Sequence, residues 1–174
     1  MKKIILPQLR QTFEYDCGAK ALQTVLVYYG IEEREDKIIK YAKTSKKGTS
    51  INGILAVVKK YHLKSVSRQM SIEEVKKFID KKVPVILVLQ AWTKKKRNNW
   101  ESDWADGHYV VVIGYTKNKI LFEDPYSFKQ TYLKYDELEK RWHDIDKNKK
   151  YFHHGIAIFG KKPKFKRNKI VHMD

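Results

Sequence analysis

Gln11-Thr12-Phe13-Glu14-Tyr15-Asp16-Cys17-Gly18-Ala19 contains the only cysteine of a 174-residue chain. Ala19, Leu22, Val25, Leu26 and Tyr29 follow at three- and four-residue steps, so a helix starts here, and Gly30 caps its end. Asp16 stands where an N-cap belongs. Cys17 then falls in the first turn, where free backbone N–H groups and the positive helix end favour a thiolate. Gly18 leaves room for a substrate backbone. Gln11, upstream, can return its side-chain amide to the same spot as an oxyanion donor. A lone cysteine is more often a small buried hydrophobe; the helix start and the glutamine set this one apart.

Working outward, the first half reads as helical. A second helix fits Glu35 to Lys43, with Ile38, Ile39 and Ala42 inward, and a third fits Ile51 to Tyr61, with Ser50 as N-cap and Ile51, Leu55 and Val58 inward. Ser71-Ile72-Glu73-Glu74 has capping-box spacing, and Val75, Phe78 and Ile79 continue a fourth helix. The second half reads as strands over Val83–Gln90, Tyr109–Tyr115, Ile120–Glu123 and Tyr151–Phe159, rich in β-branched and aromatic residues. Thr131 to Leu133 adds a short strand, and Asp136 to Trp142 a short helix. Helices first and strands later predict an α+β domain with a mainly antiparallel sheet.

A nucleophilic cysteine needs a base. Of the six histidines only His108 opens a strongly apolar strand, after an Asp106-Gly107 turn. The next strand ends in Asp124-Pro125, where proline stops the ladder and holds the carboxylate near its end. If the strands form a hairpin through Lys117-Asn118, Asp124 returns towards His108 and orients its ring. Register tests this. A plain two-residue loop pairs Thr116 with Lys119, and hence Val111 with Asp124, which leaves Asp124 on the face away from His108. The two share a face only through an odd-length loop or a bulge, and one of these is predicted.

Composition narrows the rest. With 42% hydrophobic residues the chain is foldable, and no apolar run approaches the roughly 18 residues of a membrane helix. The apolar stretch before Pro7 is too short for a signal peptide. Thirty-seven basic against 20 acidic residues give +17, which alone suggests an acidic partner such as nucleic acid or an anionic membrane. One cysteine excludes an internal disulfide and a cysteine-rich zinc site. His153-His154 would point to opposite faces of a strand, so no metal site is expected. Basic runs occur at Lys94 to Arg97 and Lys161 to Lys169; residues 161–174 read as a basic tail after a domain over 1–160.

Gln11, Asp16-Cys17-Gly18-Ala19, Gly107-His108-Tyr109-Val110-Val111-Val112 and Asp124-Pro125, in that order, resemble the double-glycine leader peptidase family, the papain-like cysteine peptidase domains of bacterial bacteriocin-exporting ABC transporters. The resemblance covers roughly residues 5 to 160. It implies a papain-like fold, Cys17 as nucleophile, His108 as general base and then acid, and Asp124 as the group that orients His108. It also implies that Gln11 and the Cys17 backbone N–H form the oxyanion hole. The reaction would be hydrolysis of a peptide bond through a thioester, without metal or organic cofactor. The membrane helices and ATP-binding domain of the transporters are not in this sequence, so a standalone relative is expected, processing a leader or precursor peptide. A cytoplasmic location is expected, with peripheral attachment to a membrane surface through the basic charge.

Residues 91–107, between a core strand and the strand of His108, hold Trp92, Trp100 and Trp104. A connection this long is often a lid or binding loop. The three tryptophans and Gly107 are therefore expected to form a wall of the substrate groove, with Lys94 to Arg97 attracting acidic substrate residues. Three further readings compete with a peptidase: a catalytically silent peptide-binding domain of the same fold, a papain-like amidase or transpeptidase, and a basic nucleic-acid or anionic-surface binder. No helix-turn-helix, zinc-finger or aromatic RNA-binding signature supports the last.

Overall fold

The computed structural model describes residues 2–96 and 99–173. In chain order the elements are β1 (Lys2–Lys3), α1 (Cys17–Tyr28), α2 (Glu35–Ala42), α3 (Ile51–Lys60), β2 (Lys64–Gln69), α4 (Ile72–Asp80), β3 (Val85–Gln90) and β4 (Gly107–Tyr115). There follow β5 (Lys119–Glu123), β6 (Thr131–Lys134), α5 (Tyr135–Arg141), β7 (His143–Asp146), β8 (Lys149–Phe152) and β9 (His154–Phe159). The helices cap as their sequences dictate. Ser50 Oγ accepts from Gly53 N at 3.0 Å, and Ser71 and Glu74 form the reciprocal capping box. At the end of α1, Gly30 N donates to the Val27 carbonyl and Ile31 N to that of Leu26, a Schellman pair that requires Gly30 at φ +76°.

A seven-stranded sheet runs β2-β9-β3-β4-β5-β6, with β1 pairing to the far end of β4, and every pairing is antiparallel. β7 and β8 make a separate hairpin. Central strand β3, Val85-Ile86-Leu87-Val88-Leu89-Gln90, is buried throughout. Full burial of each of its aliphatic side chains contributes about 1.5–3 kcal/mol. α1 packs on β4, α2 and α3 pack on each other and on α1, and α5 covers β5 and β6. Trp142, fully buried, donates its indole N–H to the His154 carbonyl at 2.9 Å and ties the small hairpin to the sheet.

Three elements depart from the sequence reading. β2 is an edge strand of polar residues, Lys-Ser-Val-Ser-Arg-Gln, without an apolar signal. β7 is short and acidic. The strand expected over 151–159 is two strands, because His153 takes φ +49° and turns the chain between β8 and β9. His153 and His154 are therefore not neighbours on one strand. The basic tail is anchored at its start. Lys164 and Phe165 donate their backbone N–H groups to the Tyr28 carbonyl, and Phe165 packs on the core. Among the described residues no helix is long and apolar enough to cross a membrane.

Candidate active site

Cys17 opens α1 and is buried. The first intrahelical bond is Lys20 N to the Asp16 carbonyl, so the N–H groups of Cys17, Gly18 and Ala19 have no acceptor within the helix. Asp16 occupies the N-cap, but its carboxylate does not cap the helix as expected. Oδ2 turns back to accept from Thr12 N at 3.2 Å and Phe13 N at 3.1 Å, which folds the segment ahead of Cys17 into a turn. Burial pushes the Asp16 pKa up; the two backbone N–H bonds oppose the shift and the adjacent Glu35 carboxylate adds to it.

His108 and Asp124 meet on the sheet. His108 Nε2 lies 2.7 Å from Asp124 Oδ1, and Cys17 is near enough to the ring to raise its pKa. Burial alone would depress the His108 pKa. The hydrogen bond to Asp124 and the interaction with Cys17 more than offset this and hold it up at about 9. Asp124 receives three further donors: Tyr126 N at 2.9 Å, Trp92 Nε1 at 3.0 Å and Thr131 Oγ1 at 3.3 Å. Burial would raise its pKa, but the imidazole, the Tyr126 N–H and the Trp92 indole keep it below the ordinary carboxylate value.

The register device required for this meeting is a β-bulge. Near the turn the ladder is plain, Tyr115 opposite Ile120 and Gly114 opposite Leu121. Between Val112 and Gly114 it slips by one, so that Val112 faces Phe122 and Val111 faces Glu123. Continued one step, Asp124 comes level with Val110, on the face of His108.

Gln11 is also beside the site, its N–H bonded to the Pro125 carbonyl at 2.9 Å. Its Nε2 donates to the Phe13 carbonyl at 2.7 Å, which occupies one of the two amide hydrogens and leaves the other.

A cleft of about 690 Å³ opens at Cys17. Residues 41–56 form one wall; Gly107, Tyr109 and the β7–β8 turn form the other. The tryptophans expected there line no part of it. Trp100 lies under the Arg141 guanidinium at 3.8 Å, and Trp104 packs on His143 and Phe152. Trp92 instead supports Asp124 and packs its ring on Tyr126. Aromatic composition marked these side chains for burial but could not say against which wall. Arg97, the last of the loop's basic run, lies outside the described residues. Gly18 also has another task than expected. A Cβ there would sit 2.8 Å from Thr49 Cβ and 3.0 Å from Tyr109 Cδ2, so the missing side chain admits these neighbours.

One cleft residue and the buried glutamine that positions it escaped the sequence reading. A Cβ on Gly107 would meet the Asp144 carboxylate at 2.5 Å, and Asp144 lies on the wall next to it. Burial pushes the Asp144 pKa up to about 6, against hydrogen bonds from Ile145 N and Gln90 and with the Asp146 charge adding to the rise. Gln90 is fully buried and positions this corner: Nε2 donates to the His143 carbonyl and to Asp144 Oδ1, and Oε1 accepts from Asp106 N. A polar residue ending an otherwise apolar strand was its signal. Among the described residues no group of three or more His, Cys, Asp or Glu is placed to hold a metal ion.

Five helices packed on a mainly antiparallel sheet, with a cysteine at a helix start beside a histidine on the sheet, define the fold of a papain-like cysteine peptidase domain. The peptidase C39 family model matches residues 6–145, and the chain belongs to that family. It is 26% identical over 136 residues to the pediocin PA-1 transport/processing ATP-binding protein PedD of Pediococcus acidilactici; the match covers 78% of this chain and 17% of that protein. The peptidase domain of Streptococcus ComA, a bi-functional ABC transporter involved in quorum sensing, is similar in structure. Its TM-score is 0.67 at 24% identity, covering 92% of this chain and 100% of that one. A double glycine motif protease from an AMS/PCAT transporter, solved in complex with the leader peptide, matches with TM-score 0.66 at 18% identity, covering 93% and 94%.

Proposed function

We propose that the chain hydrolyses a peptide bond with Cys17 as nucleophile and His108 and Asp124 completing a triad. The observation that carries this reading is His108, bonded to Asp124 at 2.7 Å and held up in pKa by that bond and by Cys17 at the start of α1. Cys17 Sγ attacks the scissile carbonyl carbon and its proton passes to His108. The tetrahedral oxyanion takes the Cys17 N–H and the second hydrogen of Gln11 Nε2. His108 then protonates the leaving amine, a thioester remains on Sγ, and water activated by His108 releases the acid. Asp124 keeps the ring oriented and stabilises the imidazolium.

A leader or precursor peptide is the substrate class we assign, in keeping with the leader peptide bound by the double glycine motif protease. Lys43, Lys47 and Lys147 on the cleft walls suit acidic residues in that peptide. Mass spectrometry of a peptide library incubated with wild type and Cys17→Ala tests the reading. Cleavage by wild type alone is expected; equal product from both, or none from either, overturns it. A peptide-binding domain without turnover is the second reading. The engagement of Gln11 Nε2 by the Phe13 carbonyl favours it, and it predicts unchanged peptide binding and no product with either form.

A further inference from the structure

The cleft at Cys17 carries opposite charges at its rim and deeper down. Lys43, Lys47 and Lys147 line it and are exposed, whereas Asp144 and Asp146 line it part-buried. Asp146 is held in place: its Oδ2 accepts from Ile51 N at 2.9 Å, at the start of α3. Asp144 is only partly engaged. Gln90 Nε2 donates to its Oδ1 at 2.9 Å and Ile145 N supplies a second donor, which leaves about half of the carboxylate's acceptor capacity open. Neither oxygen is among the side-chain atoms sealed from solvent without a partner. Among the described residues no lysine or arginine is paired with it.

Position brings this carboxylate to the substrate. Both its oxygens lie against Gly107, the exposed residue before His108, where a Cβ would meet them at 2.5 and 2.6 Å. Burial first, then the charges of Asp146, Asp144 and Cys17, push the Tyr109 pKa up, so these groups meet around its hydroxyl. A side chain that reaches Asp144 therefore belongs to a residue next to, or one removed from, the bond that Cys17 attacks. The group that suits the site carries positive charge and N–H donors. Lysine and arginine offer both on a long flexible stem. An acidic side chain would be repelled, and an aliphatic one would strip the carboxylate of water without pairing it.

We propose that Asp144 is the specificity-determining residue of the cleft, selecting a peptide with lysine or arginine beside the scissile bond. The rim lysines then favour acidic residues farther along the same peptide. The place of the bond rests on the peptidase reading; the affinity for a cation rests on the cleft alone.

Nα-acetyl-arginine amide is the probe for the cation, titrated into the full 15N-labelled chain carrying Cys17→Ala, which removes the proposed nucleophile. The Gly107 amide signal should shift saturably. Nα-acetyl-citrulline amide has the same shape without the charge and should bind about tenfold more weakly or worse. Asp144→Asn, added to Cys17→Ala, keeps the acceptor for Gln90 and should erase the difference between the two probes. No saturable shift with arginine, equal binding of both probes, or a preference for arginine that survives Asp144→Asn overturns the proposal. An N-acetylated peptide library, cut by wild type and by Asp144→Asn, locates the cation. Wild-type products should carry lysine or arginine at one fixed position within two residues of the cut, about tenfold over glutamine. The Asp144→Asn products should be fewer and without this preference. Wild-type cuts that show no such preference overturn the proposal. No cuts by wild type overturn the peptidase reading instead, and the arginine titration still decides the cation.

Discussion

His108 carries a pH dependence whose sign follows from its partners. Its folded-state pKa is raised from 6.5 to about 9, so the stability it contributes is complete below about 6.5 and is lost as pH rises through about 9. The contribution is on the order of 2–3 kcal/mol, shared among the imidazole, Asp124 and Cys17. Urea midpoints of wild type and His108→Asn should therefore converge between pH 6.5 and pH 9.5; parallel profiles would refute the bonded network. Asp144 behaves differently because the hydrogen bonds from Ile145 N and Gln90 and the His108 charge only partly offset its burial. Its pKa is raised from 3.8 to about 6, so its ionisation opposes folding above about pH 6, while below 3.8 it does not. Asp144→Asn keeps an acceptor for Gln90 and should stabilise the protein by about 1–2 kcal/mol at pH 7 and by little at pH 4, read by thermal melts at both pH values.

At the scale of elements, Gly18 separates two accounts of α1. If its hydrogen makes room for substrate, Gly18→Ala would weaken peptide binding and leave stability alone. The contacts with Thr49 and Tyr109 instead predict a loss of about 1–3 kcal/mol in denaturant titrations, because the helix start must shift. The β4–β5 hairpin gives a second test. One glycine inserted between Glu123 and Asp124 puts the carboxylate on the opposite face. The His108 pKa, followed by imidazole NMR, should then fall well below about 9, since only Cys17 is left to oppose burial. These elements also mark what was legible in the sequence. Periodicity and capping residues located α1 to α4 closely, and the demand that His108 and Asp124 share a face called for an odd-length loop or a bulge, of which the ladder has the bulge. β2 and β7 were not legible, since both are polar and their strand character comes only from β9 and β8 beside them. The same blindness misassigned Trp100 and Trp104: composition reports that a side chain will be covered, and only tertiary packing says by what.

For the whole molecule, +17 on 174 residues means that the folded chain repels itself. Raising salt from about 0.05 M to 0.5 M shortens the screening length from ~14 Å to ~4 Å and should raise Tm by a few degrees. A flat Tm would place the basic residues in compensating pairs. The bulge has a different consequence at this scale, one for the history of the chain. Ile113 is the residue that the β4–β5 ladder passes over. A chain lacking it would form a regular hairpin with the same partners, Val112 with Phe122 and Val111 with Glu123. The hairpin can thus absorb one inserted or deleted residue at that point without parting the histidine from the aspartate. Within the strands elsewhere between them a single-residue length change inverts the face. The interval from histidine to aspartate, 16 positions here, is therefore a ruler: a relative one position shorter with the same two-residue turn should be unbulged, and its amino-acid sequence alone would reveal it.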